Sequence, residues 1–261
     1  MKELAHSSIV YTAHMIEFQH LTRTYGDFTA VRPLSLTVQR GEVFGFLGPN
    51  GAGKTTTIRM MMGILVPSGG RALISGLDCH EQRAEVQRHV GYLPDNPIYY
   101  DFLRGREILQ FVAEMHGMER AEAGRQALRM LGEFGLDDVV DEFAVNYSMG
   151  MKKKLGLACA LIHDPEVLIL DEPINGLDPR AARDVQERLK LAAASGKTIF
   201  MSTHLLDMAE KVCTRVGIIH HGGLVATGTL EELRQRVEQN ASLEQVFLTV
   251  TEEAAAQAPP P

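Results

Sequence analysis

Cysteine is scarce in this chain, and its three copies, Cys79, Cys159 and Cys213, are odd in number and far apart. That spacing supports neither a disulfide framework nor a zinc site, so the thiols read as buried or incidental. Aromatic residues make up only 6% of the sequence. No run approaches the ~18 consecutive apolar residues that suggest a membrane-spanning helix. The first residues carry no apolar block of the secretory kind, which leads to the expectation of a cytoplasmic protein. Basic residues are not in excess either: 26 Lys and Arg against 33 Asp and Glu give a net charge of −7. No broad electrostatic footprint for nucleic acid exists, and no nucleic-acid partner is expected. What remains is an ordinary globular composition, 45% hydrophobic and 23% charged over 261 residues. That length buries a sizeable core, either in one large α/β domain or in a core with an inserted subdomain.

The organisation is readable in outline. Residues 1–14 carry no clear pattern and are expected to be a disordered leader, or to lie upstream of a start at Met15. Segments 16–21, 34–39 and 43–47 look like strands, with Gly26-Asp27 and Arg40-Gly41 as turns between them, and Arg71-Ala72-Leu73-Ile74 looks like another. From Gly105 to about 134 the spacing of Ile108, Leu109, Phe111, Val112, Ala127, Leu128 and Leu131 is helical. Strands return at 167–170, 198–201 and 216–220, alternating with helices near 179–195 and 204–213. That alternation predicts a parallel sheet covered by helices. The helical stretch from about 97 to 145 reads as an insertion into the 15–250 domain, and the alanine- and proline-rich 251–261 as a disordered tail.

The most specific local signal is Gly48-Pro49-Asn50-Gly51-Ala52-Gly53-Lys54-Thr55-Thr56, which satisfies G-x-x-x-x-G-K-[ST] at every required position. It follows an apolar strand, Val43-Phe44-Gly45-Phe46-Leu47, and opens a helix, the context that the motif requires. Glycines allow a tight turn that aims several N–H groups inward, where the helix N-terminus adds partial positive charge. Lys54 can reach β- and γ-phosphates and the Thr55 hydroxyl can ligate Mg²⁺. The loop implies binding of a nucleoside triphosphate.

Three further segments bear on that site. Val167-Leu168-Ile169-Leu170 ends in Asp171-Glu172. Beside a phosphate loop, Asp171 can hold Mg²⁺ and Glu172 can orient or deprotonate an attacking water; otherwise the strand simply exits through acidic residues. Ser202-Thr203-His204 follows the next strand, placing His204 at the sheet edge where ligands of open α/β sheets bind. There it can hold the γ-phosphate and the water, although a lone histidine is more often a cap or a satisfied surface residue. Tyr147-Ser148-Met149-Gly150-Met151 opens a helix running to about His163, and from the residues alone Ser148 is equally well an N-cap.

Taken in order, the phosphate loop, the serine–glycine motif, the acidic strand end, Gly176-Leu177-Asp178-Pro179 and Ser202-Thr203-His204 resemble the nucleotide-binding subunit of ABC transporters. The resemblance covers about 15–248 and is closest to stand-alone ATPase subunits of exporter-type systems, which share the Tyr-Ser-x-Gly-Met form and a segment like Leu243-Glu244-Gln245-Val246-Phe247. It implies a P-loop NTPase core with a mostly parallel sheet, an N-terminal antiparallel β subdomain and an inserted α-helical subdomain. It also implies ATP and Mg²⁺ as cofactors, Glu172 as catalytic base and His204 as switch histidine. Tyr25 matches the aromatic that stacks on adenine, and Asp178 the residue that communicates across a dimer. Ser148 and Gly150 match the signature that grips ATP bound to a second subunit. The implied assembly is a homodimer with ATP at its interface, attached through a separately encoded permease to the inner face of the membrane. The alternative is a soluble ATPase of the same type that acts without transport.

Two positions depart from the commoner pattern. Asp95, after Gly91-Tyr92-Leu93-Pro94, stands where most members have Gln; it is an oxygen ligand suited to Mg²⁺, but shorter and charged. Met149 replaces the first signature glycine. After Asp95, Tyr99, Tyr100 and Phe102 concentrate aromatics in a short run. Phe102 is expected in the core of the insertion, and at least one of the adjacent tyrosines at the surface, where a membrane partner would dock.

Overall fold

The structure is a computed structural model that describes residues 14–237 and 241–257. Its strands divide into two sheets. β1 (His14–Tyr25) and β2 (Phe28–Gln39) form an antiparallel hairpin, and β3 (Val43–Leu47) leads through a glycine loop into α1 (Lys54–Met61). β4 (Gly69–Ile74) and β5 (Leu77–Asp78) rejoin the hairpin in the order β2-β1-β4-β5. Then come α2 (Arg83–His89), β6 (Val90–Leu93), α3 (Gly105–Met115), α4 (Arg120–Glu133) and α5 (Met149–Leu161). The chain then alternates through β7 (Val167–Asp171), α6 (Pro179–Ala194), β8 (Thr198–Thr203), α7 (Leu206–Val212) and β9 (Arg215–His220). It closes with β10 (Gly223–Thr229), α8 (Leu230–Val237) and α9 (Leu243–Gln257). The second sheet runs β10-β9-β3-β8-β7-β6, parallel except where β10 pairs with β9.

Strands β3, β7 and β8 are buried at every position because both of their faces are covered. Phe44, Phe46, Val167, Ile169 and Phe200 point toward the first sheet and α1. Val43, Leu47, Leu168, Leu170, Ile199 and Met201 point the other way, into the helices. Alternation along each strand thus divides the interior into two cores. Phe200 joins the sheets: its ring stacks on Phe44 with centroids 5.6 Å apart, lies 5.4 Å from Phe46, and meets Phe18 of β1 edge-on at 5.9 Å.

The parallel register places chemistry at one edge. Leu47 pairs with Thr203 across β3 and β8, and Asp171 pairs with Ser202 across β7 and β8. The glycine loop, the acidic pair and His204 therefore leave the sheet side by side.

Four expectations need correction. The stretch from 97 to 145 is not helical from its start: α3 begins only at Gly105, where the Arg104 N–H donates to Glu107 Oε2 at 2.8 Å, and 96–103 form no helix or strand. Residues 251–257 are not a disordered tail but the end of α9. Thr251 is buried there, with its hydroxyl donating to Phe247 O at 2.7 Å, and the alanines that follow are the strongest helix formers. Residues 258–261 lie outside the described residues, as do 1–13, while His14, expected in the leader, already pairs with Gln39. Phe102 is 83% exposed and fills no core.

Because Phe200 packs against both sheets, Phe200→Ala should cost about 3–5 kcal/mol in equilibrium denaturation. Phe28→Ala, at a ring that is 65% exposed, should cost less than about 0.5 kcal/mol.

Candidate active site

The loop after β3 owes its shape to positions that tolerate no side chain. A Cβ at Gly48 would stand 2.4 Å from Ile219 O; at Gly53 it would stand 2.6 Å from Ala30 O, on backbone with φ of 107°. Gly53 is the N-cap of α1, so the first N–H groups of that helix open toward the loop. Pro49, Asn50 and Gly51 form its exposed rim, whereas Ala52 is buried and accepts from the Gly222 N–H at 3.1 Å. Lys54 is buried across the loop, where its Nζ donates to Gly48 O at 2.7 Å and Pro49 O at 3.2 Å. Thr55 and Thr56 follow on the first turn of α1, half-buried.

The acidic pair meets this loop from β7. Asp171 is buried and accepts from Ser202 Oγ at 2.5 Å, and the nearby Thr55 hydroxyl also favours its ionised form. Burial pushes its carboxyl above the ordinary value against those bonds. Glu172 adopts left-handed backbone with φ of 47°, a conformation that costs a non-glycine residue about 1–3 kcal/mol. The surroundings impose it: the Glu172 N–H donates to both Ser202 O and Ser202 Oγ at 3.1 Å. Its Oε1 lies 3.3 Å from Lys54 Nζ and 3.0 Å from His204 Nδ1, and Oε2 accepts from the His204 N–H at 3.4 Å. Burial pushes the Glu172 carboxyl up, but His204 and the Lys54 ammonium outweigh it and leave the pKa lowered. Glu172 is thus an anion at neutral pH, held between two cationic partners when His204 is protonated.

Lys54, Thr55, Asp171, Glu172 and His204 are therefore brought together, as the sequence motifs imply. Asp95 touches this cluster differently. Its oxygens contact Lys153 Nζ at 3.4 Å and Asn96 Nδ2 at 3.3 Å, while its charge helps to raise Asp171. Tyr25 ends β1 with its ring 45% exposed and the Arg23 guanidinium 4.4 Å from the ring centroid. Ser148, Gly150 and Asp178 form a separate group. Ser148 Oγ caps α5 by accepting from the Met151 N–H at 3.2 Å, and Asp178 caps α6 by accepting from the Arg180 and Ala181 N–H groups at 2.9 and 3.0 Å. Both line a cavity of about 760 Å³, together with Gly150, Lys154 and Arg180, that includes no residue of the phosphate loop. Met149 is half exposed, and its Sδ would lie 2.8 Å from a Cβ at Gly176, so it bridges the signature to the Asp178 loop.

Two functional neighbours escape motif reading. Ser202 sits opposite Asp171 in the register and serves both carboxylate-bearing residues. Lys153 belongs to a run of three lysines that suggests a surface, yet Lys153, Leu157 and Ala160 are all buried on α5. Their spacing, i, i+4 and i+7, is the signal for a buried stripe.

A glycine loop closed over a buried lysine, with two successive carboxylates delivered from a neighbouring parallel strand, defines a P-loop nucleotide-binding domain. Residues 31–175 match the family model described as ABC transporter. The bacitracin transport ATP-binding protein BcrA of Enterococcus faecalis is 38% identical over 224 residues, 85% of this chain and 72% of that protein. A protein of Escherichia coli (strain K12), named probable multidrug ABC transporter ATP-binding protein YbhF, is 36% identical over 238 residues. That alignment covers 90% of this chain and 41% of that protein, so the chain spans less than half of its length. A solved ATP-binding subunit of an ABC transporter superposes with a TM-score of 0.84 at 34% identity, covering 91% of this chain and 99% of that one. The chain belongs to the ABC transporter family.

Lys54→Ala removes the cation buried at the glycine loop and leaves Glu172 with one partner fewer. ATP affinity should fall about tenfold to a hundredfold in a titration with a fluorescent ATP analogue, the value of a charge-assisted contact. Unchanged affinity would contradict the placement of phosphates at this loop.

Proposed function

We propose that the chain hydrolyses ATP with Mg²⁺ and thereby powers a separately encoded membrane permease, an exporter. The observation that carries this reading is the Glu172 carboxylate, ionised and fixed beside Lys54 at the mouth of the phosphate loop. In the reaction an attacking water forms its bond to the γ-phosphorus as the bond to the bridging oxygen of ADP breaks, and its proton passes to Glu172. Lys54 and the loop N–H groups hold the phosphate charge, and His204 aligns Glu172 and the water. The hydroxyl of Thr55 and the carboxylate of Asp171, close enough for the one to favour ionisation of the other, form an oxygen donor set suited to Mg²⁺. The ion, when bound, would neutralise phosphate charge; Asp95, whose oxygens contact Lys153 and Asn96, is a further oxygen donor nearby.

The cavity bounded by Ser148, Gly150 and Asp178 supports a dimer as the working unit. Two helix N-termini meet there beside Lys154 and Arg180, a setting for an anion that the same chain's loop does not supply. A second copy would bring ATP to it, with adenine on Tyr25. Among the described residues no helix is long and apolar enough to cross a membrane. We place the chain at the cytoplasmic face of the membrane, held through the permease. Export is the direction favoured by the Tyr-Ser-x-Gly-Met signature and by relatives named for bacitracin and multidrug transport.

Glu172→Gln tests the base. It should leave ATP binding intact, lower turnover by about 10²–10⁴-fold, and trap an ATP-dependent dimer visible by light scattering. Near-normal turnover would remove Glu172 from that role, and a monomer at saturating ATP would argue against a homodimer.

The permease surface has a second test. Ile98, Tyr100 and Phe102 are 92%, 70% and 83% exposed on the segment between β6 and α3, the largest apolar side chains to project from it. Tyr99 points inward, its hydroxyl donating to Lys152 O at 2.8 Å. Phe102→Ser and Tyr100→Ser should reduce association with permease-containing membranes without lowering the melting temperature. Tyr99→Ala should lower the melting temperature. Full association in the two exposed variants would move the docking surface elsewhere.

A further inference from the structure

Lys153 is 1% exposed on α5, although an ammonium group is costly to bury. An apolar side chain would fill the same space without that desolvation. What it would not supply is a donor. Lys153 Nζ donates to the main-chain carbonyl of Glu172 at 2.5 Å and lies 3.4 Å from Asp95 Oδ1. Burial lowers the Lys153 pKa, and Asp95, Glu172 and Asp171 oppose that shift.

Both contacts fall at points where geometry is demanding. Glu172 holds left-handed backbone with φ of 47°, and its peptide groups are fixed from two sides: the N–H by Ser202 of β8, and the carbonyl by Lys153 of α5 at 2.5 Å and more loosely by the Asn175 N–H at 3.2 Å. Asp95 opens the segment that carries the exposed Ile98, Tyr100 and Phe102. That segment lies directly on α5. A Cβ at Gly156 would stand 2.6 Å from Leu93 Cδ1 and 2.9 Å from Tyr99 Oη, and the Tyr99 hydroxyl is bonded to Lys152 O. Through Tyr99 a displacement of the 95–103 segment would bear on α5 next to Lys153, as well as on Ala144, whose N–H donates to Leu103 O at 2.9 Å.

We propose that Lys153 is a positioning residue that fixes the Glu172 main chain and couples it to Asp95, so that a partner docked on 95–103 adjusts the placement of the base. The inference rests on the reading of Glu172 as the base. It adds a route by which the docking surface reaches the carboxylate through one buried cation, with no contact between Lys153 and the substrate.

Lys153→Met keeps an unbranched apolar stem as far as Cε and removes the ammonium group with both of its contacts. In purified protein its kcat should fall about tenfold or more while the KM and Kd for ATP stay within about threefold, the pattern of a misplaced base with an intact binding loop. Lys153→Gln returns an N–H donor toward Glu172 and should recover at least about threefold of the loss. In a cycle with Asp95→Asn, the two single effects on kcat should fail to multiply, because they act on one contact. A kcat for Lys153→Met within about twofold of wild type overturns the proposal. So does an equal loss of kcat and melting temperature in the Met and Gln variants, which would mark the lysine as packing alone. If Lys153→Met does not fold, the cycle with Lys153→Gln decides: multiplicative effects overturn the coupling. Glu172→Gln run in parallel separates the two readings. Normal turnover there means that the base assignment has failed; loss of turnover there with normal turnover in Lys153→Met means that only the role of Lys153 has failed.

Discussion

The register between β3, β7 and β8 is the constraint from which the rest follows. Parallel pairing sets Leu47 beside Thr203 and Asp171 beside Ser202, so the three strands end together. Only then do a glycine loop, two carboxylates and a histidine from distant parts of the chain occupy one edge. A slip of one residue would turn Asp171 toward the opposite face and drive an apolar side chain into its place. The register is in turn locked by burial on both faces, with Phe200 filling the space between the sheets and Ile199 and Met201 facing the helices. Packing is thus the origin of the site geometry, and the charged groups are guests of a frame that hydrophobic burial has already set.

Those guests are expensive. Lys54, Lys153, Asp171 and Glu172 are all buried, and each ion removed from water costs several kcal/mol before pairing returns any of it. The arrangement is tolerable because each charge has a named partner: Lys54 the loop carbonyls and Glu172, Asp171 the hydroxyls of Ser202 and Thr55, Lys153 Asp95 and the Glu172 carbonyl. Such a network contributes little to net stability compared with an apolar core of equal volume. It contributes position. Glu172 in particular is held in a backbone conformation that it would not adopt alone, which is the kind of strain that surrounding structure must over-determine.

Much of this was legible in the residues. The phosphate loop was readable because glycines at fixed offsets have a steric cause, seen in the carbonyls that crowd Gly48 and Gly53. The apolar strands ending in Asp171-Glu172 and in Ser202-Thr203-His204 were readable because burial on both faces forbids polar residues until the sheet edge. The disposition of polar residues inside the frame was not. Lys153 looks like one of three surface lysines until α5 is known to turn that position inward, and Phe102 looks like core until the segment before α3 is seen to lack a helix that would bury it. The alanines of α9 misled in the opposite direction, since the composition that suggested a loose tail also has high helix propensity and Thr251 is anchored on Phe247 O.

The phosphate loop and the Ser148–Asp178 group lie apart in this chain, so its strongest local signals do not converge. Ser148 and Asp178 satisfy their own helices as N-caps, a role that would be complete in a monomer. Yet both caps open on the same cavity, and Met149 ties the one to the loop of the other across Gly176. In α5 the Ser148 hydroxyl takes only the Met151 N–H, whereas in α6 Pro179 has no N–H and Arg180 and Ala181 both donate to Asp178, so what α6 offers the cavity is the end of its dipole rather than unused donors. The phosphate loop, by contrast, already spends its lysine on Gly48 O, Pro49 O and Glu172. A phosphate bound there would compete with those carbonyls and with Glu172 for Lys54 Nζ, while His204 would still face the carboxylate and Ser202, Asn175 and Lys153 its main chain. On the function proposed above, part of the binding energy would be felt at Glu172, beside the α5 residues that contact the 95–103 segment, which is the shortest route in this fold from the loop to that surface.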